Sequence, residues 1–196
     1  GGPNGAAIGP DGRIFVCNNG GFNWVKDHGT IRPHGQAANY KNGAIDIVDA
    51  ATGKVERMYD KVDGHWLKGP NDLVFDGHGG FYFTDVGKRR PREADRGFVY
   101  YAKADGSLIK EVVTAATTPN GVGLSPDGSI LYVAETDTGR VWAWDILSPG
   151  ELRKEPWPSP CGGRLIAGVG GYTRFDSLAI ASSGNICVAA LETCSI

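Results

Sequence analysis

Residues 69–85 read GPNDLVFDGHGGFYFTD, and this stretch decides the fold. The apolar run Leu73–Phe75 gives way to the turn-forming residues Asp76, Gly77, Gly79 and Gly80, and a second apolar and aromatic run, Phe81–Phe83, follows. Two such runs around a glycine-rich turn are a β-hairpin signal, because glycine accepts the positive φ that a tight turn demands. The same unit recurs as GPNGAAIGPDGRIFVC at 2–17, TPNGVGLSPDGSILYVA at 118–134 and RFDSLAIASSGNICVA at 174–189. In each copy an Asn or Asp (Asn4, Asn71, Asn120, Asp176) precedes a turn glycine (Gly12, Gly79, Gly128, Gly184) by eight residues.

Between the first three anchors and the next lies a second recurring pattern: NGAIDIVDAATGKV, RGFVYYAKADGSLI and TGRVWAWDILSPGEL. Gly43, Gly97 and Gly139 open it, and Gly53, Gly106 and Gly150 close its turn. Apolar residues on both sides of the alternation, as in Val141 and Ala143 against Trp142 and Trp144, suit strands sandwiched between neighbouring sheets. Four strands per unit, with anchors 67, 49 and 56 residues apart, match the blades of a β-propeller. The fold class is therefore all-β, a β-propeller with about four four-stranded blades in a single domain, 1–196. An open run of blades belonging to a larger ring is expected, with a self-closed four-bladed ring as the alternative.

The 30 Gly and 11 Pro fit a turn-dense β protein. A net charge of -2 and a pI near 6.1 supply no electrostatic footprint for nucleic acid or acidic membranes. No apolar stretch approaches a membrane span, and no secretory leader is seen. The basic run Lys88, Arg89, Arg90, Arg92 is broken by Pro91 and followed by Glu93 and Asp95, so it reads as a solvated loop. Cys17, Cys161, Cys187 and Cys194 show no metal-site spacing. Cys17 and Cys187 lie in apolar runs and are expected to be inert buried thiols, which leans towards a reducing, cytoplasmic setting.

Equivalent positions at the start of the innermost strands ring one mouth of a propeller's channel. Asn4, Asn71, Asn120 and Asp176 occupy that position, and oxygen donors converging there suit a hard divalent cation. A second reading stands beside it, in which the same residues are Asx-turn formers that bond their own backbone. His28, His34, His65 and His78 are the acid–base candidates by residue type. No nucleophile elbow of the G-x-S-x-G kind is present. The connections 19–36 and 87–96 interrupt the repeat and are expected to form loop walls of a pocket. The five tryptophans are expected mainly in inter-blade packing, although Trp24 and Trp66 fall where they could roof that pocket.

The strings PNDLVFDGHGGFYFTD, PNGVGLSPDGSILYVAET and FDSLAIASSGNICVA, in that order, resemble the senescence marker protein, gluconolactonase and luciferin-regenerating enzyme family. The resemblance implies a six-bladed propeller, of which this chain is a part truncated at both ends. It also implies one divalent cation (Ca²⁺ first, with Zn²⁺, Mn²⁺ or Mg²⁺ as alternatives) and hydrolysis of a sugar lactone or related cyclic ester as a small-molecule substrate. By motif it places metal ligands at Asn120 and Asp176, with Asp176 also in the catalytic role, and a substrate-binding role at Asn71. The family's Cys-Glu-His strand end is Cys17, Asn18, Asn19 here, and its P-D-G motif is Phe175, Asp176, Ser177. Its E-G-P-type motif, which supplies a further Glu to the metal, does not occur in this sequence; Glu135 and Asp72 are the candidates to replace it. Two other readings remain: a non-catalytic propeller serving as a binding surface, and a metal-independent enzyme resembling strictosidine synthase-like propellers.

Overall fold

The computed structural model describes residues 1–196 and contains only strands, turns and loops. In chain order the strands are β1 (Pro3–Ile8), β2 (Ile14–Asn18), β3 (Phe22–Asp27), β4 (Thr30–Gln36), β5 (Ala44–Val48), β6 (Val55–Tyr59), β7 (Lys61–Val62), β8 (His65–Trp66), β9 (Pro70–Phe75) and β10 (Gly80–Asp85). They continue as β11 (Gly97–Lys103), β12 (Ile109–Ala116), β13 (Pro119–Leu124), β14 (Ile130–Glu135), β15 (Arg140–Ser148), β16 (Glu151–Leu152), β17 (Arg164–Gly168), β18 (Phe175–Ile180) and β19 (Ile186–Ala190). No helix is long and apolar enough to cross a membrane.

Three antiparallel blades result: β1-β2-β5-β6, β9-β10-β11-β12 and β13-β14-β15-β16, the last with β17 also paired to β15. A fourth unit is the two-stranded hairpin β18-β19, so the expectation of four four-stranded sheets is met by three and a hairpin. The innermost strands pack in chain order, β1 on β9, β9 on β13 and β13 on β18. No comparable packing joins β18 to β1, so the units form an arc.

Period-two alternation builds the core between blades rather than within one. Strand β10 is buried along its whole length. Phe81 and Phe83 join Phe15, Ile45, Tyr59 and Leu73 in the layer shared with the first blade. Tyr82, pointing the other way, joins Leu131, Val133, Trp142 and Trp144 in the layer shared with the third. A strand sandwiched like this must be apolar on both faces.

Close approach of blades explains the opening glycines. A side chain at Gly43 would collide with the Pro70 ring, and one at Gly97 with the Pro119 ring. The glycine of one blade therefore seats the proline that precedes the next blade's Asn anchor, Asn71 or Asn120. The repeat turns close at Gly12, Gly79, Gly128 and Gly184, all with φ between 72 and 87°.

Four local expectations are corrected. The 19–36 connection is not a loop: β3 and β4 form a hairpin whose turn residues His28 and Gly29 both have positive φ, 45 and 82°, the backbone that a two-residue hairpin requires. Cys187 is exposed, because no further sheet covers that face of β19, whereas Cys17 is buried and its burial pushes the thiol pKa well up. Trp142 and Trp144 pack between blades as expected, but Trp157 is 90% exposed. The basic run is not uniformly solvated either, since Lys88 is 2% exposed.

Candidate functional site

All four anchors line one cavity of about 570 Å³ at the end of the arc where β1, β9, β13 and β18 begin. Repeat equivalence thus becomes spatial convergence. Asn120, 7% exposed, is the most enclosed anchor; its Nδ2 donates to Asp176 Oδ1 at 2.7 Å and to Thr136 Oγ1 at 3.0 Å. Its Oδ1 is buried and has no partner. A buried amide oxygen without a donor costs free energy unless a ligand or water completes it. Asx-turn geometry does not account for this arrangement, because the Asn120 amide is committed to the side chains of Thr136, just after β14, and Asp176 on β18. Asn71 and Asp176 are half-buried, and Asn4 is exposed on the rim.

The scaffold places these groups by contacts that cross between blades. Gly121 leaves room for the β18 backbone, since a side chain there would meet Asp176, Ser177 and Leu178. Thr84, fully buried, donates its hydroxyl to the Asn120 carbonyl at 2.5 Å and accepts the Asp72 N–H at 3.2 Å, tying β10, β9 and β13 together. Asp85, 1% exposed, accepts the backbone N–H groups of Lys68 (2.8 Å), Gly69 (2.7 Å) and Gly87 (2.8 Å). Those bonds hold the chain leading into Asn71. Burial raises the Asp85 pKa against the opposing pull of the three donors.

The two carboxylates expected to complete a metal site are engaged elsewhere. Glu135 accepts the Thr117 N–H and the Thr138 hydroxyl, each at 2.6 Å. Asp72 accepts the N–H groups of Leu73 and Val122 and does not line the cavity; burial, with a smaller contribution from the Asp176 charge, raises its pKa. No three His, Cys, Asp or Glu side chains meet in metal-binding geometry. The donor set for a hard cation is thus the partnerless Asn120 oxygen with the Asp176 carboxylate beside it, and this pair fits such an ion in chemistry. None of the four histidines lines the cavity; all are exposed.

Asn19 and Arg89 line the cavity from the two connections expected to wall it, whereas Arg174 escaped sequence reading. Asn19, 3% exposed, lines the wall and accepts the Gly21 N–H at 2.8 Å, while its neighbour Asn18 turns away to donate to Asp46. Arg89 lines the cavity in an ion pair with Asp137, and Arg174 in one with Glu192. Arg174 lies just before β18, two residues ahead of Asp176, and that nearness in sequence was the available signal.

Lys88 anchors one wall. Its Nζ donates to the Gly21 carbonyl at 3.0 Å and stands 3.9 Å over the Phe22 ring and 5.2 Å over Tyr40. Burial lowers its pKa to about 8, against the attraction of Asp85 and Asp95. Below pH ~8 both folded and unfolded chains carry the ammonium and the folded state bears its full desolvation cost. Between about 8 and the ordinary lysine value the folded state releases the proton first, so this group's contribution to stability rises with pH. Urea unfolding across pH 7.5–10 should show wild type gaining stability relative to Lys88→Met; a difference that stays flat would contradict the assignment.

Residues 1–196 match the family model described as SMP-30/gluconolactonase/LRE-like region. A lactonase drp35 from Staphylococcus saprophyticus is 31% identical over 187 residues, covering 95% of this chain and 50% of that protein. A gluconolactonase from Zymomonas mobilis is 31% identical over 159 residues, 76% of this chain and 38% of that one. Among solved structures, a gluconolactonase from Xanthomonas campestris superposes with a TM-score of 0.68 at 23% identity, over 95% of this chain and 55% of that chain. The chain spans about half the length, or less, of these curated relatives.

Proposed function

The chain belongs to the SMP-30/gluconolactonase/LRE-like family, and from that premise we propose that it hydrolyses a lactone, a sugar lactone or related cyclic ester, at the cavity around Asn120 and Asp176 with the help of one divalent cation. The observation that carries this reading is the buried Asn120 oxygen without a partner, next to the Asp176 carboxylate, in the one cavity that collects every repeat anchor. The names of the relatives support lactone hydrolysis. Asn120 and Asp176 would hold the cation, Ca²⁺ in the first place. Bound there, it would polarise the lactone carbonyl.

The chain's own residues supply the rest. Water adds to the carbonyl carbon, the C–O bond of the ring breaks, and a hydroxy acid leaves. Asp176 accepts the proton of the attacking water and passes it to the ring oxygen as the C–O bond breaks, which returns the carboxylate to its starting state. Asn120 holds Asp176 in place through its Nδ2. The Asn71 amide orients the ring oxygen and neighbouring polar groups of the substrate.

The test is hydrolysis of a lactone panel by the full-length chain, followed by pH-stat titration, with Ca²⁺, Zn²⁺, Mn²⁺ or Mg²⁺ and after chelation. Activity is expected with a divalent cation and is expected to fall on chelation. Asn71→Ala should lower kcat/KM roughly 10–100-fold, the loss of a positioning hydrogen bond or two, while metal content by elemental analysis stays unchanged. If a well-folded protein hydrolyses no lactone with any of these ions, the alternative of a non-catalytic binding propeller takes its place. That alternative draws on one observation: the cavity's anchors include a single carboxylate, Asp176, and no cluster of three metal-binding side chains.

A further inference from the structure

The hairpin β3-β4 has no counterpart in the other blades. The connection between the second and third strands of the third blade is only the short turn from Thr136 to Gly139, and that of the second blade, 86–96, contains no hairpin strands. Blade formation therefore does not require Phe22–Gln36. Yet Phe22, Trp24, Pro33 and Gly35 line the same cavity as Asn71, Asn120 and Asp176. Trp24 and Pro33 are register partners across the hairpin, and the Phe22 and Trp24 rings meet edge-on with centroids 6.4 Å apart.

Trp24 is 62% exposed. An indole left in water beside an amide-lined floor has a large apolar face available to a ligand, and aromatic residues of this kind carry a disproportionate share of binding energy. The wall it belongs to offers little to a hydroxyl: Phe22 and Pro33 have no side-chain donors or acceptors. Arg89 and Arg174, which also line the cavity, are already paired with Asp137 and Glu192. A polyhydroxylated chain laid along this wall would gain no hydrogen bonds from Phe22 or Pro33. The hairpin is also fixed to the second blade rather than free, because Lys88 grips its base at Gly21 and Phe22.

We infer that the hairpin Phe22–Gln36 reads the substrate, with Trp24 receiving an aryl or alkyl substituent of a lactone whose ring lies at Asn71, Asn120 and Asp176. The inference rests on the proposed lactone hydrolysis and narrows it to cyclic esters with an apolar substituent. Trp24 is a contact residue for that substituent and takes no part in bond making or breaking.

A binding test and a kinetic test separate this inference from the reading beneath it. Calorimetry on the full-length chain would use two ring-amide analogues that resist hydrolysis, pyrrolidin-2-one and its 5-phenyl derivative. Wild type should bind the phenyl compound about tenfold more tightly, the burial of one aromatic face. Trp24→Ala should remove that preference and Trp24→Phe should keep part of it. In kinetics, Trp24→Ala should cut the preference for γ-phenyl-γ-butyrolactone over γ-butyrolactone about tenfold, through KM rather than kcat. A preference unchanged in Trp24→Ala overturns the inference, as does a wild type that binds the two lactams equally. If no lactone is hydrolysed but the Trp24-dependent preference among lactams persists, the hydrolytic reading fails and the apolar-wall assignment stands.

Discussion

Asp176→Ala is expected to lose lactone hydrolysis by about 10³-fold or more and to lose the divalent cation as well. Among the four anchors only Asp176 carries a charge, and a carboxylate attracts a hard cation directly where an amide offers only a dipole. The same substitution removes the nearest proton acceptor for the attacking water, a role that contributes ~10²–10⁴-fold by itself. It also strips the Asn120 Nδ2 of its 2.7 Å partner, leaving that amide held by Thr136 alone. Asp176→Asn is the sharper companion, because it keeps the shape and removes the charge. Metal content by elemental analysis and hydrolysis rates would be read together, with thermal unfolding as the control for misfolding. An Asp176→Ala protein that keeps both its metal and its rate would show that the site has been placed wrongly.

Asp85→Ala should be the most destabilising single change near the site. Three backbone N–H groups, from Lys68, Gly69 and Gly87, converge on this one carboxylate. Truncation leaves them partly enclosed without an acceptor, at about 1–3 kcal/mol for each group that water cannot reach. A total of about 3–5 kcal/mol corresponds to a fall in Tm on the order of 10 °C for a domain of this size. Asp85→Asn should cost less, since an amide oxygen still accepts but its NH₂ faces a donor. Activity should fall in both beyond what unfolding explains, because these bonds hold the strand entry that carries Asn71. A Tm within about 2 °C of wild type in Asp85→Ala would refute the assignment, since a single exposed carboxylate contributes no more than that.

The repeat, the all-β class and the alignment of Asn4, Asn71, Asn120 and Asp176 at one mouth were all legible from the chain by itself. Turn glycines and period-two alternation are local properties, and equivalence between repeats converts them into convergence in space without any knowledge of packing. Asn120 and Asp176, 56 residues apart in sequence, could be paired on those grounds alone. The hairpin 22–36 was partly visible in its His28-Gly29 turn, but Pro33 and the mostly exposed β4 strand masked the strand signal. Other features depend on which surface faces which, and sequence does not carry that. Lys88 lies in a run of like charges that reads as solvated, and only the hairpin of another blade, folded over it, makes it a buried clamp. Glu135 and Asp72 were sound candidates for the metal by residue type until neighbouring N–H groups claimed them. Cys187 sits in an apolar run like Cys17, yet is exposed because burial of a strand face requires a second sheet to cover it. Tertiary structure alone decided which polar groups were satisfied internally and which, like the Asn120 oxygen, were left without a partner, because hydrogen-bond satisfaction is a property of assembled neighbours and not of spacing along the chain.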